Sequence, residues 1–163
     1  MNGIVTLPRA LAGVLTALPM LVFAAPSATV TVKVTVVAPP PCVINDGRPI
    51  EVEFGDVMTT RVDGDNYKMP VNYTLSCTGD TANAMKLQIK GNGAAFDAKV
   101  LQTNKTGLGI ELRQGGNKLA VNKWLHFSYP NKPELWAIPV KQVGTTLTGG
   151  EFSAGATMAV DYQ

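Results

Sequence analysis

A chain of 163 residues holds one domain with a real core and is too short for two ordinary ones. A formal charge of +2 and the absence of any basic run argue against a nucleic-acid partner. Charged residues at 16% and apolar residues at 45% describe a chain that packs rather than one that stays disordered.

Residues 1–24 read as a secretory signal. Their one charge is Arg9, and the apolar run Ala10–Phe23 is short for a bilayer span. Cleavage is expected after Ala24. Cys42 and Cys77 are the chain's two cysteines, and an even count in an exported chain favours a disulfide. Closing a loop of that size is worth about 4 kcal/mol on the chain-entropy account. A catalytic or metal-binding thiol would need a nearby histidine or a C-x-x-C spacing, and the sequence has neither.

The segment Thr29–Val37 places Val30, Val32, Val34 and Val36 on one face and Thr29, Thr31, Lys33 and Thr35 on the other. That alternation of β-branched residues is a strong strand signal. Ala38-Pro39-Pro40-Pro41 follows, removing three backbone donors and favouring a stiff connector, so a tight hairpin cannot form. A half-apolar strand held away from its own domain is disordered, an aggregation hazard, or meant for another molecule. The chain therefore divides into a signal (1–24), an N-terminal extension with its proline linker (25–41) and a domain (42–163).

Within the domain, Cys42–Asn45 begins a strand and Asn45–Pro49 is turn chemistry. Ile50-Glu51-Val52-Glu53-Phe54 alternates, and a loop follows to Asn66. Lys68–Cys77 alternates again, with Cys77 on the apolar face. Further strands are expected around Met85–Ile89 and Leu108–Leu112, with a hairpin signal at Gln114–Asn117 and a weaker strand over Leu119–Phe127. Leu135–Val143 alternates, and Pro139 within it points to an edge or a bulge. Phe152, Ala154, Ala156, Met158, Val160 and Tyr162 close the chain in strict alternation. No useful stretch has a 3.6-residue apolar period, so the expected fold is an all-β, immunoglobulin-like sandwich.

The sequence offers no catalytic or metal-binding set and calls for no cofactor. His126 has no second imidazole to work with and no nucleophile elbow accompanies it. Gly91-Asn92-Gly93 and Gly107-Leu108-Gly109 lack the helix a phosphate loop requires. Glu51 and Glu53 share a strand face and read as solvated carboxylates rather than a glycosidase pair. Asn72-Tyr73-Thr74 and Asn104-Lys105-Thr106 fit a glycosylation sequon, a pattern common by chance. What remains is a surface. About six strands follow the connector where a closed sandwich needs seven, and the missing edge strand would leave apolar core and unpaired backbone as a groove.

Specific residues then carry a resemblance. Gly150 stands fourteenth from the end, Tyr162 is penultimate, and Phe152 to Val160 alternate between them. Pro41-Cys42 pairs with Ser76-Cys77, and Phe54-Gly55-Asp56-Val57, Gly107–Ile110 and Gly149–Phe152 complete the set. In these the mature chain resembles subunits of chaperone–usher pili of the type 1 and P kind, most closely the minor pilins that join adhesin to fibre. The resemblance implies an incomplete, six-stranded immunoglobulin-like domain with a Cys42–Cys77 bridge and an N-terminal donor strand presenting Val30, Val32, Val34 and Val36. It implies a non-enzymatic structural subunit whose C-terminal strand, from Gly150 through Phe152, Ala154, Ala156, Met158 and Val160 to Tyr162, binds a periplasmic chaperone and then a neighbour. The implied partners are that chaperone, an outer-membrane usher and neighbouring pilins or an adhesin, with no nucleic acid or small-molecule substrate. The implied destination is a cell-surface fimbrium reached through the periplasm. Where the family's extensions carry a glycine, this one has Val34. The competing reading is a self-contained secreted β-sandwich that binds a ligand or inhibits a partner.

Overall fold

The computed structural model describes residues 42–78 and 83–163. The signal, the extension and its valines lie outside the described residues. The first strand, β1 (Cys42–Ile44), pairs antiparallel with β3 (Leu75–Cys77). Cys42 faces Cys77 directly across that ladder, and the two are joined by a disulfide with their Cα atoms 4.1 Å apart. A larger sheet runs β2 (Met69–Val71), β10 (Leu135–Lys141), β7 (Leu108–Gln114), β6 (Asp97–Gln102), β5 (Gly93–Ala94), with β8 (Asn117–Leu119) also on β7. A third sheet has β4 (Ala84–Lys90) between β11 (Thr157–Tyr162) and β9 (Trp124–Ser128).

The core lies between sheets, as the all-β sandwich reading expects. Leu87 and Ile89 of β4 share one apolar cluster with Leu101, Ile110, Leu112, Leu135 and Ala137 of the large sheet. Side chains alternate along a strand, so each contributes every second residue to this layer. At Gly109 the backbone of β7 has no room for a side chain: a Cβ there would lie 2.5 Å from Val100 Cγ1.

Several expectations are refined. Lys68–Cys77 keeps its alternation of burial throughout but divides into β2 and β3, which belong to different sheets. Between them Tyr73 is buried, its hydroxyl donating to the Pro133 carbonyl at 2.7 Å. Leu119–Phe127 also breaks: β8 ends at Leu119, and Asn122, with φ 62°, lies in the turn that leads into β9. β6 was not legible because adjacent residues, Val100 and Leu101, are both buried, which erases the alternating pattern. Pro139 sits in a strand flanked on both sides. Pairing with β2 nevertheless ends at Ala137, so at Pro139 only the β7 ladder remains and the strand is locally an edge.

On the face of the large sheet away from the core, Glu111 is buried and doubly paired. Arg113 Nε donates to its Oε1 at 2.7 Å, and Lys118 Nζ lies 2.6 Å from its Oε2. Arg113 also reaches the Gly64 carbonyl and Asp65, tying the loop before β2 to the sheet. Burial pushes the Glu111 carboxyl up, but hydrogen bonds and charge from Lys118 and Arg113 outweigh it and hold the group below its ordinary value of 4.5. A carboxyl whose pKa is lower folded than unfolded adds stability above the unfolded value and loses it as pH falls through the folded one. Glu111→Gln is therefore expected to cost about 1–2 kcal/mol at pH 7 and to flatten the loss of stability below about pH 4.5. Urea titrations of both proteins at several pH values measure this.

Candidate functional site

Two segments, each containing an alternating stretch that reads as a strand (Ile50–Phe54 and the run from Phe152), have no ladder partner among the described residues. The first is 50–57. Ile50, Val52 and Phe54 turn inward and pack against the core, while Glu51 and Glu53 are exposed, as the alternation predicts. The second is 149–156, the first half of the C-terminal alternating run, which becomes a hydrogen-bonded strand only at Thr157. Between these two lips lies a cavity of about 960 Å³, floored by Val71, Ile89, Leu101, Ile110, Leu112 and Ala137. The floor is core, and the lips offer backbone N–H and C=O groups.

Each end of this groove is fixed differently. At one end the rings of Phe54 and Phe152 meet, centroids 5.9 Å apart, so the lips touch through their largest side chains. There the loop after β6 holds the second lip. The Asn104 amide donates to the Ser153 carbonyl at 3.0 Å, and Asn104 Oδ1 accepts from the Ser153 amide at 2.9 Å. Lys105 Nζ donates to the carbonyls of Thr148 and Gly149 at 3.0 and 2.7 Å. Buried Thr103 shapes the loop, its hydroxyl bonded to the carbonyls of Lys105 and Leu108. Along the C-terminal run, Cys42 Sγ lies 3.4 Å from the Tyr162 hydroxyl. The disulfide thus fixes the start of the domain beside Tyr162.

The sequence-predicted residues of the C-terminal segment fall along one side of the groove. Gly150 takes φ 108°, a conformation that suits glycine. Phe152, Ala154, Ala156 and Met158 line the cavity, and Phe152, Met158 and Val160 pack against the core. His126 is exposed on β9, opposite Lys86. Asn104 and Lys105 were missed as groove residues. The sequon at Asn104 is their one marked local feature and says nothing of this role, and their partners lie more than 40 residues away.

The comparisons with known proteins agree with this geometry. The family model described as Fimbrial protein matches residues 29–163. The chain belongs to that family; it is a pilus subunit of the chaperone–usher type and of the minor or adaptor kind. Among its relatives is the fimbrial-like protein YfcR of Escherichia coli K12, 43% identical over 80% of this chain and 78% of that one. The fimbrial adapter PapF of Escherichia coli is 28% identical over 76% and 81%. The solved structure of the P pilus adaptor subunit PapF superposes with a TM-score of 0.58 at 27% identity, covering 77% of this chain and 98% of that one. The P pilus rod subunit PapA, at 23% identity and a TM-score of 0.64, covering 76% of this chain and 99% of that one, shares the fold. As a member of this family the chain works among other pilin subunits in a fimbrium at the cell surface.

Removing the loop's hold on the second lip tests how that lip is positioned. Asn104→Ala with Lys105→Met is expected to cost about 1–2 kcal/mol and to speed hydrogen exchange at the Ser153 amide, leaving the amides of β4 and β7 protected. Amide exchange followed by mass spectrometry reads both.

Proposed function

We propose that this subunit joins its fibre by donor-strand exchange. Residues 29–37 serve as the donor, and the groove between 50–57 and 149–156 serves as the receiver. The carrying observation is the pair of unpaired, extended lips over an exposed part of the core. An inserted strand would complete both ladders and cover the floor at once. A self-contained secreted sandwich is not favoured, because a complete sandwich pairs the segments that border its core.

In this reading Val30, Val32, Val34 and Val36 of one subunit enter the groove of a neighbour. Burying four valines is worth at most about 6–12 kcal/mol before ordering costs. Each ladder hydrogen bond adds roughly 0.5–1.5 kcal/mol. Gly150, Phe152, Ala154, Ala156, Met158, Val160 and Tyr162 form the receiving edge. A periplasmic chaperone lends a strand to this edge before an outer-membrane usher passes the subunit to its neighbour. Val34, in place of the family's glycine, calls for a receiver with room at that position. The role is structural, with no catalytic step.

Deleting Ala25–Ala38 is expected to leave a subunit that still co-purifies with its chaperone yet fails to enter fibres. Phe152→Ala and Tyr162→Ala are expected to lower chaperone capture several-fold. Pull-down from periplasm and immunogold labelling of fibres separate the two effects, and incorporation of the truncated subunit would remove the donor role.

A further inference from the structure

Folding gathers lysines that stand apart in the sequence. Between Ala84 and Ser128 there are seven Lys or Arg against two carboxylates, and both carboxylates are already engaged. Glu111 is held by Arg113 and Lys118, and Asp97 by the Lys118 ammonium at 3.5 Å and the Lys99 amide at 2.9 Å. Lys90, Lys99 and Lys123 are exposed and enter none of the ion pairs among the described residues. The turn 120–123 brings these three together. The Val121 amide donates to the Lys99 carbonyl of β6 at 3.1 Å. The Asn122 amide donates at 2.8 Å to the carbonyl of Ile89, the residue before Lys90 on β4. The turn is also locked from its sides. Asn122 Oδ1 accepts from the Gly91 amide, Asn122 Nδ2 donates to the Gly91 carbonyl, and buried Gln88 donates to the Asn122 carbonyl at 2.7 Å.

Directly after this turn comes Trp124, the first residue of β9. It stands opposite Gln88 on β4, so Lys86 and Lys90, two residues to either side of Gln88, share its outward face. Lys86 Nζ lies 5.2 Å from the centroid of the Trp124 ring and 3.3 Å from Asp161 Oδ2, which steadies the ring on the sheet. Trp124 is nonetheless 39% exposed, the one large apolar side chain described as exposed on β4, β9 or β11. A membrane surface calls for several apolar side chains together, and a nucleic-acid strand for a succession of rings. A single open indole among free ammonium groups instead suits a sugar ring with acidic substituents. The C–H face of the sugar stacks on the indole, and its carboxylate or sulfate oxygens accept from the lysines. We propose that the outer face of β4 and β9, with the turn 120–123, binds an acidic polysaccharide through Trp124, Lys90, Lys99 and Lys123. The face lies on the side of its sheet away from the core, and the inference does not depend on how the groove is filled.

Calorimetric titration of the full mature chain with a sulfated hexasaccharide from heparin tests this, with maltohexaose as the uncharged control. The sulfated probe is expected to bind at least about tenfold more tightly than the control at about 0.05 M salt, with the gap closing near about 0.5 M. Lys90→Glu with Lys123→Glu is expected to weaken its binding about tenfold. Arg48→Glu with Arg61→Glu makes the same change in net charge elsewhere and is expected to leave binding within about twofold. Trp124→Ala is expected to cost about three- to tenfold, and Trp124→Phe to restore part of that. All these positions are exposed, so the fold is not at stake. Equal losses from the two charge-reversal pairs would overturn the site and leave only a general attraction to anions. Indifference to Trp124→Ala, or equally tight binding of a single-stranded DNA hexamer, would overturn the assignment to a sugar. No binding of the sulfated probe at low salt would overturn the whole proposal.

Discussion

The arrangement of this domain follows from an imbalance in backbone hydrogen bonding. Two extended segments, 50–57 and 149–156, border the core without a strand to pair with among the described residues, and apolar floor lies open between them. Peptide groups beside an apolar surface are costly to bury unpaired, and the floor itself is costly to leave in water. A single extended segment from another molecule would answer both demands, which is the physical basis of the proposed donor-strand reading.

Other features hold that site in shape. The β1–β3 ladder and its disulfide fix the start of the domain beside Tyr162. The Thr103–Lys105 loop grips the second lip from the other end through backbone and side-chain bonds. The Phe54–Phe152 contact sets how closely the lips approach there. A groove anchored at both ends keeps its lips in place before a donor arrives, which lowers the ordering cost of association.

Charge is used in two ways. Glu111 is buried on the outer face of the large sheet and satisfied by Arg113 and Lys118, so it ties a loop and a strand together and offers nothing to a partner. Glu51, Glu53, Asp56 and Glu151 stand exposed on the two segments, outside the ion pairs among the described residues. The first arrangement contributes to stability.

The sequence by itself determined the all-β class, the pairing of Cys42 with Cys77 and the inward and outward faces of Ile50–Phe54 and Phe152–Tyr162. All of these follow from a two-residue period or a count of cysteines, and both are local properties. Tertiary structure decided which alternating stretches become paired strands. Ile50–Phe54 and Phe152–Ala156 have the pattern and no ladder, whereas β6 has a ladder and no clean pattern, because adjacent Val100 and Leu101 are both buried. It also decided that Lys68–Cys77 serves two sheets and that Asn104 and Lys105 grip a lip far along the chain. Side-chain alternation records only which face is wet. Whether a backbone finds a partner depends on segments distant in sequence, and no local pattern records it.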